Sequence, residues 1–163
     1  MHVNDSWCAL AFGSNLGDRH ALVESALNAL AEIDGLTNLE SAPFYETEPL
    51  DCPEGSPTFL NTVVQTRYNG DVFALLDQTQ AIEIQLGRQR KGTRNEARVI
   101  DIDLLLIDDV TLEAERLTLP HPRMHERLFV LRPLADLQPE LILPNGKPIR
   151  KVIQELELNT SPT

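Results

Sequence analysis

The chain has 163 residues, 42% of them hydrophobic and 24% charged, an ordinary globular composition long enough to bury one core without covalent staples. Its formal net charge of −11 argues against general binding to nucleic acid or to an anionic membrane surface. No stretch approaches the roughly 20 apolar residues that cross a bilayer.

The opening MHVNDSWCALAFGSN has neither the basic start nor the apolar run of a signal peptide. Within it, Trp7 to Phe12 reads as a first strand breaking at Gly13, and the Gly-Ser-Asn that follows suits a tight turn or a ligand contact equally well. Leu22, Ala26, Ala29 and Ile33 then recur at helical spacing, from a start near Asp18 to a stop at Gly35. LTNLESAPFYETEPL reads as a strand running into a loop, DCPEGSP as a connector, and TFLNTVVQTRY as a further strand closed by Asn69-Gly70. A second helix carries Leu75, Thr79, Ile82 and Leu86 on one face and stops at Gly87.

A basic loop follows, with Arg88, Arg90, Lys91, Arg94 and Arg98, and leads into the strand ARVIDIDLLLIDD. Beyond it come a hairpin in DDVTLEAERLTLPHPRM and a short helix in LFVLRPLADL, where Pro133 belongs in the first turn. A last helix starts at Pro148, with Ile149, Val152, Ile153 and Leu156 at helical spacing. Residues 1–158 are expected to form one domain, and 159–163 a frayed tail. The order β-α-β-β-α-β is that of the split βαβ, ferredoxin-like pattern. It implies an α+β fold: an antiparallel sheet with helices on one face, plus an appended hairpin and C-terminal helices.

The chemistry gathers around Asp101 and Asp103. Strand side chains alternate, so both point to one side while Ile100, Ile102 and Leu104 point to the other. Two carboxylates that close repel unless a positive charge lies between them. A solvated face would tolerate them, but the apolar flanks favour a hard divalent cation. Mg²⁺ takes one or two carboxylates and completes its octahedron with water and substrate phosphates. Zinc fits less well, because His121 and His125 form no recognised ligand set with either cysteine. Cys8 and Cys52 make no redox motif; a disulfide between them stays open, but a reduced, cytoplasmic chain is the simpler reading.

Nine of the 14 Lys and Arg residues fall between Arg88 and Arg132, among them Arg116, Arg123 and Arg127. The five between Arg88 and Arg98 could equally be a solvated loop; beside a metal site, an acidic chain that concentrates its bases suits phosphoryl chemistry, in which cations absorb developing charge. There is no Walker motif: GSNLGDR lacks the lysine and the spacing.

Five blocks in order then resemble one family, the 6-hydroxymethyl-7,8-dihydropterin pyrophosphokinases of folate biosynthesis. They are AFGSNLGDR (11–19), SAPFYETEPL (41–50), FLNTVV (59–64), QAIEIQLGRQRKGTRNEARVIDIDLLL (80–106) and LPHPRMHERLFVLRPLADL (119–137). The resemblance implies transfer of pyrophosphate from ATP to the pterin hydroxymethyl oxygen, with release of AMP. It implies two Mg²⁺ ions on Asp101 and Asp103, and catalytic roles for Arg88 and Arg98 as bidentate phosphate binders.

By the same resemblance Phe59 and Phe129 sandwich the pterin, Asn61 reads its edge, and Thr47, Pro49 and Leu50 border it through backbone contacts. Gln80, Glu83, Arg90, Lys91, Arg94, Ile102, Arg116, Thr118, His121 and Arg127 match nucleotide contacts. Asn95, Glu96 and Ala97 depart from the family's usual loop, and Glu48 is an unusual charge at the pterin rim. Other readings of the strand carboxylates are a ferredoxin-like nucleotidyl transferase, which would need a further acidic ligand on a neighbouring strand, and a non-catalytic small-molecule-binding domain. A monomer is expected, since no extended apolar stripe is evident.

Overall fold

The computed structural model describes residues 1–15, 18–47, 58–87 and 100–160. In chain order the elements are β1 (His2–Ser14), α1 (Arg19–Ala31), β2 (Leu36–Ser41), β3 (Tyr45–Thr47), β4 (Phe59–Asp71), α2 (Val72–Gln85) and β5 (Asp101–Ile107). They continue with β6 (Leu112–Glu113), β7 (Thr118–Leu119), a 3₁₀ turn at Met124–Glu126, α3 (Leu128–Leu137) and α4 (Ile149–Thr160).

The main sheet is antiparallel in the order β2-β4-β1-β5, with β3 also paired to β4, while β6 and β7 form a separate hairpin. This is the anticipated α+β, ferredoxin-like arrangement with a hairpin and C-terminal helices. The helices cover both faces of the sheet rather than one. Cys8, Leu10 and Phe12 of β1 pack with α1 and α2 through Val23, Ala26, Leu30, Val72 and Leu75. Ala9 of the same strand, with Val63 and Leu105, packs on the other face with α3 and α4 through Val130, Leu131, Leu134, Ile149 and Val152. The run Cys8-Ala9-Leu10, with no exposed position, is the sequence mark of a strand covered twice.

Several boundaries differ from the sequence reading. β1 is longer than Trp7–Phe12 and continues through Gly13 and Ser14, which pair with Asn61 and Leu60. The Gly-Ser-Asn segment is therefore strand up to Ser14, not a tight turn. Asn69 and Gly70 lie inside β4, where Gly70 pairs with Val3, instead of closing it. α1 is capped by Asp18, whose carboxylate accepts the Ala21 N–H at 3.1 Å. It buries Val23, Ala26 and Leu30, while Leu22 and Ala29 of the anticipated stripe are only half-buried, so the sheet-facing side is rotated by about one residue from that reading. It ends at Ala31, and Gly35, at φ +93°, makes the turn into β2.

Pro133 is the sixth residue of the ten-residue α3, not in its first turn. Without an N–H it gives nothing to the Phe129 carbonyl, a loss the helix accepts because Val130, Leu131, Pro133 and Leu134 are buried together. β5 carries an irregularity against β1 between the Leu10–Leu104 and Ala9–Leu106 pairs. Leu105 and Leu106 therefore both face α3 and α4, while Ile102, Leu104 and Ile107 face α1 and α2.

Candidate active site

β4 and β1 converge with β3 and β5 to place one row of residues across four strands. Tyr45 is opposite Asn61, Asn61 is opposite Gly13, and Gly13 is opposite Asp101. Directly opposed residues in antiparallel pairs share a face, so all four lie on the side covered by α3 and α4. The adjoining rows add Thr47 opposite Phe59, and Val63, Ala11 and Asp103. The anticipated alternation of β5 holds where it matters: Asp101 is half-buried and Asp103 exposed, with Ile102 buried between them.

Gly13 is what lets this row form. A Cβ there would lie 2.8 Å from Asn61 Oδ1, so the Asn61 amide occupies space that any other residue at 13 would fill. That amide donates to Thr47 Oγ1 at 2.5 Å. Thr47 thus enters through its side chain, not through backbone alone. One residue beyond Ser14, Asn15 is buried, and its Oδ1 has no hydrogen-bond partner among the described residues. A buried carbonyl oxygen without a donor is costly, and at the end of β1 beside the Asn61 row it offers a ready acceptor.

Phe59 and Phe129 are both half-buried. Phe59 shares the face of Asn61, and Phe129 packs against the cluster beneath α3. Arg127 sets its guanidinium carbon 5.6 Å from the centre of the Phe129 ring, within cation–π range.

The nucleotide candidates gather around the outer edge of β5. Glu83, buried on α2, accepts the Ile102 N–H at 2.8 Å. It satisfies a backbone donor between the two aspartates that no neighbouring strand among the described residues covers. Gln80 and Arg116 meet on the exposed side of α2: Arg116 Nη2 lies 3.4 Å from Gln80 Oε1 and is also bonded to Asp77. Thr118 is exposed on β7, which lies against β5.

His121 donates its backbone N–H to the Leu105 carbonyl at 2.8 Å. Its Nδ1 accepts the Arg123 N–H at 3.2 Å, which leaves the proton of the neutral ring on Nε2. Burial, with help from the Arg127 and Arg123 charges, holds this imidazole below its ordinary range, while Asp103 pulls the other way. Pro49, Leu50, Glu48, Arg88, Arg90, Lys91, Arg94, Arg98, Asn95, Glu96 and Ala97 lie outside the described residues, and so does Cys52.

The donor set suits a hard cation. Two carboxylates on one strand face offer only hard oxygens. Among the described residues no cluster of three or more His, Cys, Asp or Glu could enclose a metal by itself. An ion held there would keep coordination positions for water and for phosphate oxygens.

Comparison with known proteins accords with this geometry. The family model described as 7,8-dihydro-6-hydroxymethylpterin-pyrophosphokinase (HPPK) matches residues 9–139. The 2-amino-4-hydroxy-6-hydroxymethyldihydropteridine pyrophosphokinase of Bacillus subtilis is 41% identical over 128 residues, which cover 78% of this chain and 75% of that protein. The folic acid synthesis protein fol1 of Schizosaccharomyces pombe is 38% identical over 148 residues, 90% of this chain, but the chain spans only 20% of that much longer protein. A solved structure of Plasmodium falciparum HPPK-DHPS shares the fold with a TM-score of 0.70 at 16% identity, over 98% of this chain and 46% of that one. With matched residues that run from the core of β1 through the end of α3, the chain belongs to the 7,8-dihydro-6-hydroxymethylpterin-pyrophosphokinase (HPPK) family.

Proposed function

We propose that this chain transfers the pyrophosphoryl group of ATP to the hydroxymethyl oxygen of 6-hydroxymethyl-7,8-dihydropterin, as a step of folate biosynthesis. The oxygen forms a bond to the β-phosphorus as the bond from that phosphorus to the α–β bridging oxygen breaks. AMP leaves, and the hydroxyl proton passes to solvent.

The observation that carries this reading is the row Asn61–Gly13–Asp101. Two strand spacings, roughly 10 Å, separate an amide that can both donate and accept from a carboxylate suited to a metal. That is the span of a flat bicyclic ring with one exocyclic carbon. Asn61 and Thr47 would hold the ring's polar edge, and the buried Asn15 oxygen is available to one of its N–H groups. Phe59 and Phe129 would close on its faces.

Asp101 and Asp103 would hold the two Mg²⁺ ions. Bound there, the ions supply charge neutralisation of the triphosphate and a lowered pKa for the attacking hydroxyl. Glu83, through its bond to the Ile102 N–H, would help present the two aspartates at a fixed spacing. Gln80, Arg116, Thr118 and neutral His121 would border the nucleotide, His121 donating through Nε2 to a phosphate oxygen. Arg127 would bring a fixed cation to the same side. Arg88 and Arg98, with Arg90, Lys91 and Arg94, would supply the remaining positive charge against the phosphates. The proposal includes a monomer in the cytoplasm. Separately, no helix among the described residues is long and apolar enough to cross a membrane.

A ferredoxin-like nucleotidyl transferase would need a further acidic ligand beside the pair. The positions opposite Asp101 and Asp103 on β1 are Gly13 and Ala11, which favours the pyrophosphokinase. The deciding experiment is release of AMP from ATP, required to depend on both Mg²⁺ and the reduced pterin. Release of ADP or of inorganic pyrophosphate, or release indifferent to the pterin, overturns the assignment.

A further inference from the structure

Arg19 opens α1 on the face of the sheet opposite Phe129, yet its side chain does not stay on the helix. Its Nη1 donates to the Thr58 carbonyl at 2.8 Å and to Thr58 Oγ1 at 2.5 Å, and its Nη2 donates to Glu46 Oε1 at 3.2 Å. One guanidinium therefore grips the last described residue before β4 and the middle residue of β3. The side chain is 25% exposed, against 61% for Glu46, so the contacts to Thr58 are the sheltered ones.

The gripped residues are immediate neighbours of the proposed pterin floor. Thr58 precedes Phe59, Glu46 precedes Thr47, and Thr47 pairs with Phe59. β3 is only three residues long, too short to fix its own register firmly through ladder bonds. A one-residue slip would turn Thr47 away from Asn61 and send its hydroxyl to the opposite face. Arg19 bridges the two strands beside Thr47–Phe59, the last pair among the described residues, and its planar fork can meet a carbonyl, a hydroxyl and a carboxylate at once.

The geometry points to Arg19 as a positioning residue for the pterin site: it locks β3 against β4 so that Thr47, Phe59 and Asn61 form one rigid floor. Its role is assigned through these protein contacts, not through contact with substrate. The inference rests on the pterin reading of that floor, and it assigns a task to the GDR end of the first sequence block that phosphate binding does not explain.

The test is steady-state AMP release by the full chain, with ATP and pterin varied in turn. It is run on Arg19→Gln, Arg19→Lys, Thr58→Ala and Glu46→Gln, with a thermal melt of each. Losing hydrogen bonds to a charged donor predicts a KM for pterin raised about tenfold in Arg19→Gln, with the KM for ATP changed less than about twofold. Lysine restores little, because one ammonium on a flexible stem cannot reproduce the fork. Glu46→Gln stays within about threefold of wild type, because its amide oxygen can still accept from Arg19 Nη2 and hold β3, and only the exposed charge pairing is lost. Thr58→Ala shows the pterin-selective rise in milder form and keeps the test decisive should Arg19→Gln not fold.

A folded Arg19→Gln or Thr58→Ala with unchanged KM for pterin overturns the inference, and so does an equal rise for both substrates. Phe129→Ala run beside them separates the two failures. If Phe129→Ala loses pterin selectively while the Arg19 variants do not, the pterin site stands and Arg19 is only structural. If wild type itself shows no pterin dependence, the underlying reading fails and the inference fails with it.

Discussion

Asp101 and Asp103 are separated by one buried isoleucine, and this spacing makes them useful. On a strand it sets both carboxylates on one face, roughly 7 Å apart along the chain, a spacing at which they would serve the proposed ions and a shared triphosphate. Asp103 is exposed, so replacing it removes a charge without opening a cavity. Asp103→Asn should lower AMP release by roughly a hundredfold or more, while its melting temperature in the absence of ligands stays within about 2 °C of wild type. Activity near wild type would remove the metal pair from the mechanism. Gly13 is the complementary case, a residue whose value is the atom it lacks. Gly13→Ala puts a methyl group 2.8 Å from Asn61 Oδ1 and should push the amide off Thr47. Pterin binding, followed by fluorescence titration, should weaken about tenfold and binding of an ATP analogue should not.

At the scale of elements, the periods of α2 and α4 were legible because both helices bury one stripe: Leu75, Thr79 and Ile82 on α2, Ile149 and Val152 on α4. The aspartate face of β5 was legible from alternation alone. The partition of the helices between two faces was not, because an unbroken apolar run such as Cys8-Ala9-Leu10 does not say which element covers which side. Register was hidden too. No local pattern in AFGSN or FLNTVV announces that Gly13 stands opposite Asn61, and the proposed roles of Asn15 and Arg19 rest on burial and long-range side-chain bonds that the sequence does not display.

That double cover has a measurable consequence at Cys8, which is fully buried in β1. Burial, reinforced by the charge of Asp108, pushes its thiol from 9.0 up to about 12. The folded state therefore favours the thiol form. This contribution is complete below pH 9 and is lost as pH rises towards 12. Native protein at pH 8 should show no alkylation of the Cys8 peptide by mass spectrometry until urea unfolds it, and Cys8→Ala should flatten the alkaline fall in stability. Rapid labelling of native Cys8 would mean that the sheet is open on one side. Phe129, on the other cover of the sheet, tests the sandwich. Phe129→Ala should weaken pterin binding about tenfold through lost ring contact and leave ATP binding nearly unchanged, whereas equal weakening of both would place the ring elsewhere.

For the whole molecule the governing fact is a net charge of −11 on a protein whose proposed co-substrate is itself a polyanion. Long-range electrostatics oppose the encounter, so under this proposal binding comes from the bases that the sequence concentrates between Arg88 and Arg132 and from divalent ions that Asp101 and Asp103 would hold. Nucleotide affinity should consequently depend on Mg²⁺ more steeply than on any single arginine. A ligand that binds only the folded chain stabilises it by RT ln(1 + [L]/Kd), about 2.7 kcal/mol at a hundredfold excess over Kd. For a chain of this size that is a rise of roughly 5–10 °C in melting temperature. A non-hydrolysable ATP analogue at one concentration should give a rise of that order with Mg²⁺ present and much less with EDTA. In Asp103→Asn the Mg²⁺-dependent part of the shift should vanish while the EDTA baseline is unchanged. A shift that survives chelation in wild type would mean that the arginines alone anchor the triphosphate, and the strand carboxylates would then need another task.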